Sequence, residues 1–113
     1  MARRDITGAV DFAFLETYAA GDAAVIDEVL ELFQEQAAIW SRMLDPGADG
    51  WRDAVHTVKG AARGVGAHGL GAACERAEAE GAGALPAVHA ALDAALFDIA
   101  AWRHEAALRS LKT

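Results

Sequence analysis

A single cysteine, Cys74, stands in the 113 residues, so no disulfide can form within the chain and a reducing compartment suits it. The expected location is the cytoplasm. The Met1-Ala2-Arg3-Arg4-Asp5 start does not lead into the apolar stretch of a signal peptide, and no charge-free apolar window of about 18 residues occurs anywhere. No membrane is expected. Basic residues are the minority, ten against seventeen acidic ones, and the net charge of -7 repels phosphate backbones and anionic headgroups. No nucleic acid is therefore expected as a partner. β-branched residues are too few to build a chain of strands, and there is neither an internal repeat nor a low-complexity linker. One domain over residues 1–113 follows, large enough to bury roughly two thirds of its unfolded surface.

What the chain has in quantity is alanine, within an apolar fraction of 54%, cut into segments by glycine and proline clusters. The breaks fall at Gly21-Asp22, from Asp45-Pro46-Gly47 to Gly50, from Gly64 to Gly69, and from Gly81 to Gly83 before Pro86. They leave five helical segments at about residues 11–20, 23–44, 51–65, 70–80 and 86–111. The first has Phe12, Leu15 and Tyr18 or Ala19 available for one face. The second, capped by Asp22, offers Val25, Val29, Leu32, Phe33, Gln36 or Ala37, and Trp40. In the third, Trp51, Val55, Val58, Ala62 and Val65 step by four and three, which marks one buried stripe. Leu70, Cys74 and Ala77 repeat the pattern in the fourth. Val88, Leu92, Leu96, Ile99 and Trp102 or Arg103 extend it through the fifth, for which Pro86 is a suitable first-turn residue. Short connections make neighbours antiparallel, so the expected fold is all-α: an up-down-up-down four-helix bundle with the short first helix capping one end.

His56 follows the core position Val55, which sets it about 100° round from the buried stripe and at the solvent margin. Lys59, Gly60 and Arg63 lie three, four and seven positions on and share its strip of surface. Neutral imidazole is a good nucleophile near pH 7, and a phosphoryl group on its nitrogen stays reactive enough to be passed on. Lys59 can neutralise part of the incoming charge of roughly two units, Arg63 can add to that field, and Gly60 leaves room for another protein. A hairpin folded about Ala67 sets Glu78 opposite His56, where its carboxylate can accept from Nδ1–H, fix the tautomer and leave Nε2 as the nucleophile. Cys74, in register with the core, reads as a small buried apolar residue.

The run Ala54-Val55-His56-Thr57-Val58-Lys59-Gly60-Ala61-Ala62, followed by Val65-Gly66-Ala67, Leu70, Cys74 and Glu78, closely resembles the signature of histidine phosphotransfer (HPt) domains. That pattern is His-x-x-Lys-Gly, one or two small residues, a Gly-Ala at the helix end, and Gln or Glu on the next helix. The resemblance implies relay of a phosphoryl group on His56 between receiver-domain aspartates, with response-regulator receivers and a hybrid histidine kinase as partners. It implies no cofactor bound by this chain and Mg²⁺ in the partner receiver, which does most of the catalysis. Docking is expected over His56, Lys59, Gly60 and Arg63, with apolar surface from Phe12 and Leu15, and the bundle is expected to be a monomer.

Three other readings compete with that one. A metal-binding bundle would use imidazoles and carboxylates on facing helices, but neither Glu-x-x-His nor His-x-x-x-His occurs, so no helix presents two strong ligands on one face. A non-catalytic adaptor would dock a partner helix and tolerate loss of His56. The phosphoacceptor region of a sensor kinase typically has an acidic residue after its histidine and a proline soon afterwards. Here Thr57 follows His56, and no proline comes before Pro86. The chain has no Gly-rich phosphate loop, and no autokinase activity is expected.

Overall fold

The computed structural model describes residues 8–111, and every regular element among them is helical. The elements are α1 (Phe12–Tyr18), α2 (Ala23–Met43), α3 (Trp51–Val65), α4 (His68–Glu80) and α5 (Leu85–Leu111), with a 3-10 turn at Ala82–Ala84 before α5. Helix ends follow from local chemistry. The Asp22 carboxylate accepts from the Ala24 and Val25 amides and starts α2, and the Asp11 carboxylate does the same for α1 through the Phe14 amide. Pro86 falls in the first turn of α5, where its missing N–H leaves no bond unmade. α4 begins two residues before the expected position, because the turn at Gly66-Ala67 is tight enough to make His68 and Gly69 helical.

That turn depends on Gly66. Its φ of 79° is left-handed, and the amide of Ala67 donates to the Ala62 carbonyl at 2.8 Å, closing the end of α3. A β-carbon there would lie 2.9 Å from the Asp11 carbonyl oxygen and 3.2 Å from the Phe14 ring. The position thus also admits α1, whose Asp11 amide donates to the Gly66 carbonyl at 2.9 Å. The segment ahead of α1 is tied to α5, since the Ala9 amide donates to the fully buried carboxylate of Asp98 at 2.8 Å.

α2, α3, α4 and α5 pack in cyclic order, each against two of the others, and α1 lies on α2 and α3. The α3 stripe is as expected: Val55, Val58, Ala62 and Val65 are buried, with Trp51 half-buried. Leu70, Cys74 and Ala77 of α4 and Val88, Leu92, Ile99 and Trp102 of α5 meet them, while Leu96 is half-buried and Ala95 takes the core position beside it. By length and composition α5, with the preceding turn, is apolar enough to cross a membrane. Its apolar stripe is instead the part of the core that faces α2 and α4.

α2 matches the expectation at Phe33, Ala37 and Trp40 and departs from it at Val25, Val29 and Leu32. Its buried stripe is Ile26, Leu30, Phe33, Ala37 and Trp40, and Leu44 continues it, whereas Val25 and Leu32 are exposed and Val29 is half-buried. Two apolar stripes about 100° apart run along this helix, and sequence periodicity does not choose between them. The stripe that holds Phe33 and Trp40 goes inward, with the two rings edge to face at 5.3 Å. The other contains Gln36, which would need a buried hydrogen-bond partner.

Candidate functional site

α3 rises through the site with its apolar stripe against the core, which leaves His56 on the outer side with a side chain 75% exposed. The neighbouring helix supplies the second half. α3 and α4 run antiparallel through the Gly66-Ala67 turn, and this brings Glu78 level with both His56 and Lys59. The Glu78 carboxylate is shared: Oε2 lies 3.1 Å from His56 Nδ1, and Oε1 accepts from Lys59 Nζ at 2.5 Å. Beneath them sits the buried Cys74.

The electrostatics decide the state of the ring. The hydrogen bond from Lys59, followed by the one from His56, holds the Glu78 carboxyl below the ordinary carboxylate range. Glu78 is therefore ionised at neutral pH and can only accept. Its partner nitrogen, Nδ1, must carry the hydrogen, and the lone pair of neutral imidazole is then on Nε2, which has no bond to any described residue. This arrangement presents an oriented, solvent-accessible nitrogen nucleophile. Burial, with the Glu78 charge adding to it, pushes the Cys74 thiol up to about 11, so that sulfur stays protonated and unreactive.

The remaining expected residues divide. Gly60 lies one turn from His56, and a β-carbon there would meet nothing within 4 Å, so no packing contact explains the glycine. Gly64, one turn further, is equally open. Arg63 does not reach toward His56: its Nη2 lies 2.8 Å from Glu75 Oε2 on α4, and its stem passes 3.5 Å from where a Gly71 β-carbon would be. Lys59 likewise is directed to Glu78 and only 17% exposed, so its charge goes first to the carboxylate. Leu15 is 2% exposed and closes the core, and a partner finds no surface on it. Phe12 is half-buried, stacked on Trp102 with centroids 5.5 Å apart, and serves to hold α1 on the bundle.

Val29 and Leu32, expected in the core, lie instead on a surface beside the site. Val29, Leu32 and Gln36 of α2, Ala61 and Gly64 of α3, and Tyr18 at the end of α1 line an apolar groove of about 380 Å³. The second α2 stripe was the available signal, since a helix with two stripes in a small domain has one left over. Among the described residues, no group of three or more His, Cys, Asp or Glu side chains is placed to hold a metal ion. His68 lies 3.5 Å from Asp11 Oδ2, and His89 Nε2 pairs with the Leu44 carbonyl at 2.7 Å.

No family model matches the chain, and no curated protein matches it. Among solved structures, the chain is similar to the crystal structure of histidine phosphotransferase ShpA from Caulobacter crescentus. The two are 69% identical, the match covers 92% of this chain and 99% of that one, and the TM-score is 0.86. At that identity over nearly the whole length, the chain belongs to the histidine phosphotransferase family and acts as a phosphotransfer protein in a phosphorelay.

Proposed function

We propose that Nε2 of His56 is the atom that carries the phosphoryl group. The observation that carries this reading is a three-quarters exposed imidazole with one nitrogen held by an ionised carboxylate and the other facing open space. In the step, the Nε2 lone pair attacks phosphorus of an aspartyl phosphate, the N–P bond forms, the P–O bond to aspartate breaks, and the aspartate leaves as a carboxylate. The ring then holds both the phosphoryl group and the Nδ1 proton, and it is cationic until that proton goes to solvent. Glu78, already ionised, offsets the cation as it forms. Lys59 acts by cancelling the charge of Glu78, which would otherwise repel the incoming group. Arg63, tied to Glu75 in an exposed pair of small energy, is available to contribute field at little cost.

The partners in this reading are response-regulator receivers, charged upstream by a hybrid histidine kinase. Mg²⁺ is assigned to the receiver, where it supplies neutralisation of the phosphoryl charge. The chain itself is a carrier with no autokinase activity, for it has no Gly-rich phosphate loop. The receiver docks over His56 and Gly60, and the α2–α3 groove provides the apolar contact in place of Phe12 and Leu15. Hydrogen bonds and ion pairs between helices support an up-down-up-down order for α2 to α5: Asp27 meets Arg103 while Leu44 meets His89, and His56 meets Glu78 while Arg63 meets Glu75. A monomer in the cytoplasm completes the proposal.

The test is a transfer assay. Receiver domains carrying a labelled aspartyl phosphate are mixed one at a time with the protein, and acid-labile label is expected to move onto this chain from at least one of them. Label that stays on every receiver contradicts the proposal.

A further inference from the structure

The exposed stripe of α2 is longer than the groove. Val25, Val29, Leu32, Gln36, Ile39 and Met43 recur at steps of four and three, and four of them rank among the exposed large apolar residues: Val25 at 39%, Leu32 at 56%, Ile39 at 45% and Met43 at 38%. That spacing is what one helix presents to another lying alongside it. Charge on the flanks distinguishes the candidates for the second helix. Asp27 and Glu31, on the side of α2 toward α5, are committed to Arg103. Glu28 and Glu35 stand one turn before and one turn after Leu32, on the flank away from Phe33. Both are exposed and neither forms a close ion pair with a described residue, although Glu35 adds to the field on Arg103 from further off.

A second copy of this chain would bring these carboxylates against their own kind in a molecule of net charge -7, which disfavours self-association. The stripe is also continuous with the phosphoacceptor face, because Gly64 lines the groove and lies two turns along α3 from His56. We infer that Glu28 and Glu35 are specificity determinants that select receivers whose docking helix has an apolar ridge flanked by lysine or arginine. This rests on the function proposed above and adds to it the chemistry of the preferred partner. Rim charges of this kind act mainly on the association rate and lose their effect as salt screens them.

The experiment begins by charging the protein with phosphoramidate, a small phosphodonor that needs no docking helix. Transfer from the charged protein to each member of a set of isolated receiver domains is then timed, at low and at high ionic strength, for the native chain and for the Glu28→Gln/Glu35→Gln variant. Transfer to the receiver that the native chain serves fastest should fall about tenfold in the variant at low salt, with the difference fading near 0.5 M salt. The Glu28→Lys/Glu35→Lys variant should lower that receiver's rank in the set. Equal rates and equal salt dependence for native and Gln proteins overturn the inference while leaving the proposed function standing. A native chain that charges but serves no receiver overturns both. Sedimentation that shows a dimer dissolved by Leu32→Asp places a second copy on the stripe and likewise overturns the inference.

Discussion

A single carboxylate organises the site. Glu78 fixes the imidazole tautomer with one oxygen and takes the Lys59 charge with the other, and the roles of Lys59 and Glu78 are consequently coupled. Lys59→Ala leaves a bare carboxylate beside the nucleophile and should slow transfer roughly tenfold, equivalent to about 1.4 kcal/mol. If Lys59 acts through Glu78, the Lys59→Ala/Glu78→Gln double variant should transfer faster than Lys59→Ala alone, which a double-mutant cycle of transfer rates reads directly. Additive losses would instead give Lys59 its own contact with phosphate. The depressed Glu78 carboxyl also has a pH signature. In acid the unfolded chain binds a proton on Glu78 that the folded chain refuses, so this group's contribution is complete above its ordinary value near 4.5 and is lost as pH falls through the lower folded value. Denaturation profiles in that acid window should be flatter for Glu78→Gln than for the native chain; identical slopes would show that the pairing has no such linkage. Gly60 belongs at this scale too: with open space where its β-carbon would be, Gly60→Gln should keep the helix and weaken receiver affinity, measured by titration calorimetry.

At the scale of elements, the α3–α4 hairpin is the device that builds the site, and Gly66 is its hinge point. Alanine there must adopt a left-handed φ and approach the Asp11 carbonyl within 2.9 Å. Gly66→Ala is therefore expected to destabilise the protein by about 2 kcal/mol from backbone conformation alone, with more from the contact, as a shift in urea midpoint would reveal. A midpoint unchanged by the substitution would mean that the hairpin can close another way. This hairpin was legible in the sequence, because α3 has one apolar stripe with polar residues elsewhere, and a glycine marks its end. The phase of α2 was legible only at Phe33 and Trp40. Val25, Val29 and Leu32 compete with Ile26, Leu30 and Phe33 on periodicity alone, and the choice is made by what α3 and α5 offer opposite them. α1 was misjudged for a related reason: Leu15 and Phe12 have the look of a free apolar face, yet a seven-residue helix holds its place only by giving that face to the bundle. The buried Asp98 had no signal in the α5 pattern, since its partner at Ala9 comes from a distant, irregular segment.

For the whole molecule, the closed packing of α2 to α5 sets a rigid platform on which α3 turns one nucleophile outward and α2 turns its spare stripe to the same side. In the proposed function the acidic surface and the apolar groove together form the docking face, and the chemistry of transfer needs only one nitrogen, one carboxylate and one lysine. The central claim is that Nε2 of His56 receives the phosphoryl group because Glu78 occupies Nδ1. Long-range proton–nitrogen NMR spectra of the imidazole rings, recorded before and after charging with phosphoramidate, test it most directly. The account predicts that one ring changes, that of His56, with phosphorus attached at Nε2 and Nδ1 still adjacent to the carboxylate. Phosphorus on the ring of His68, His89 or His104, or on Nδ1 of His56, would contradict it.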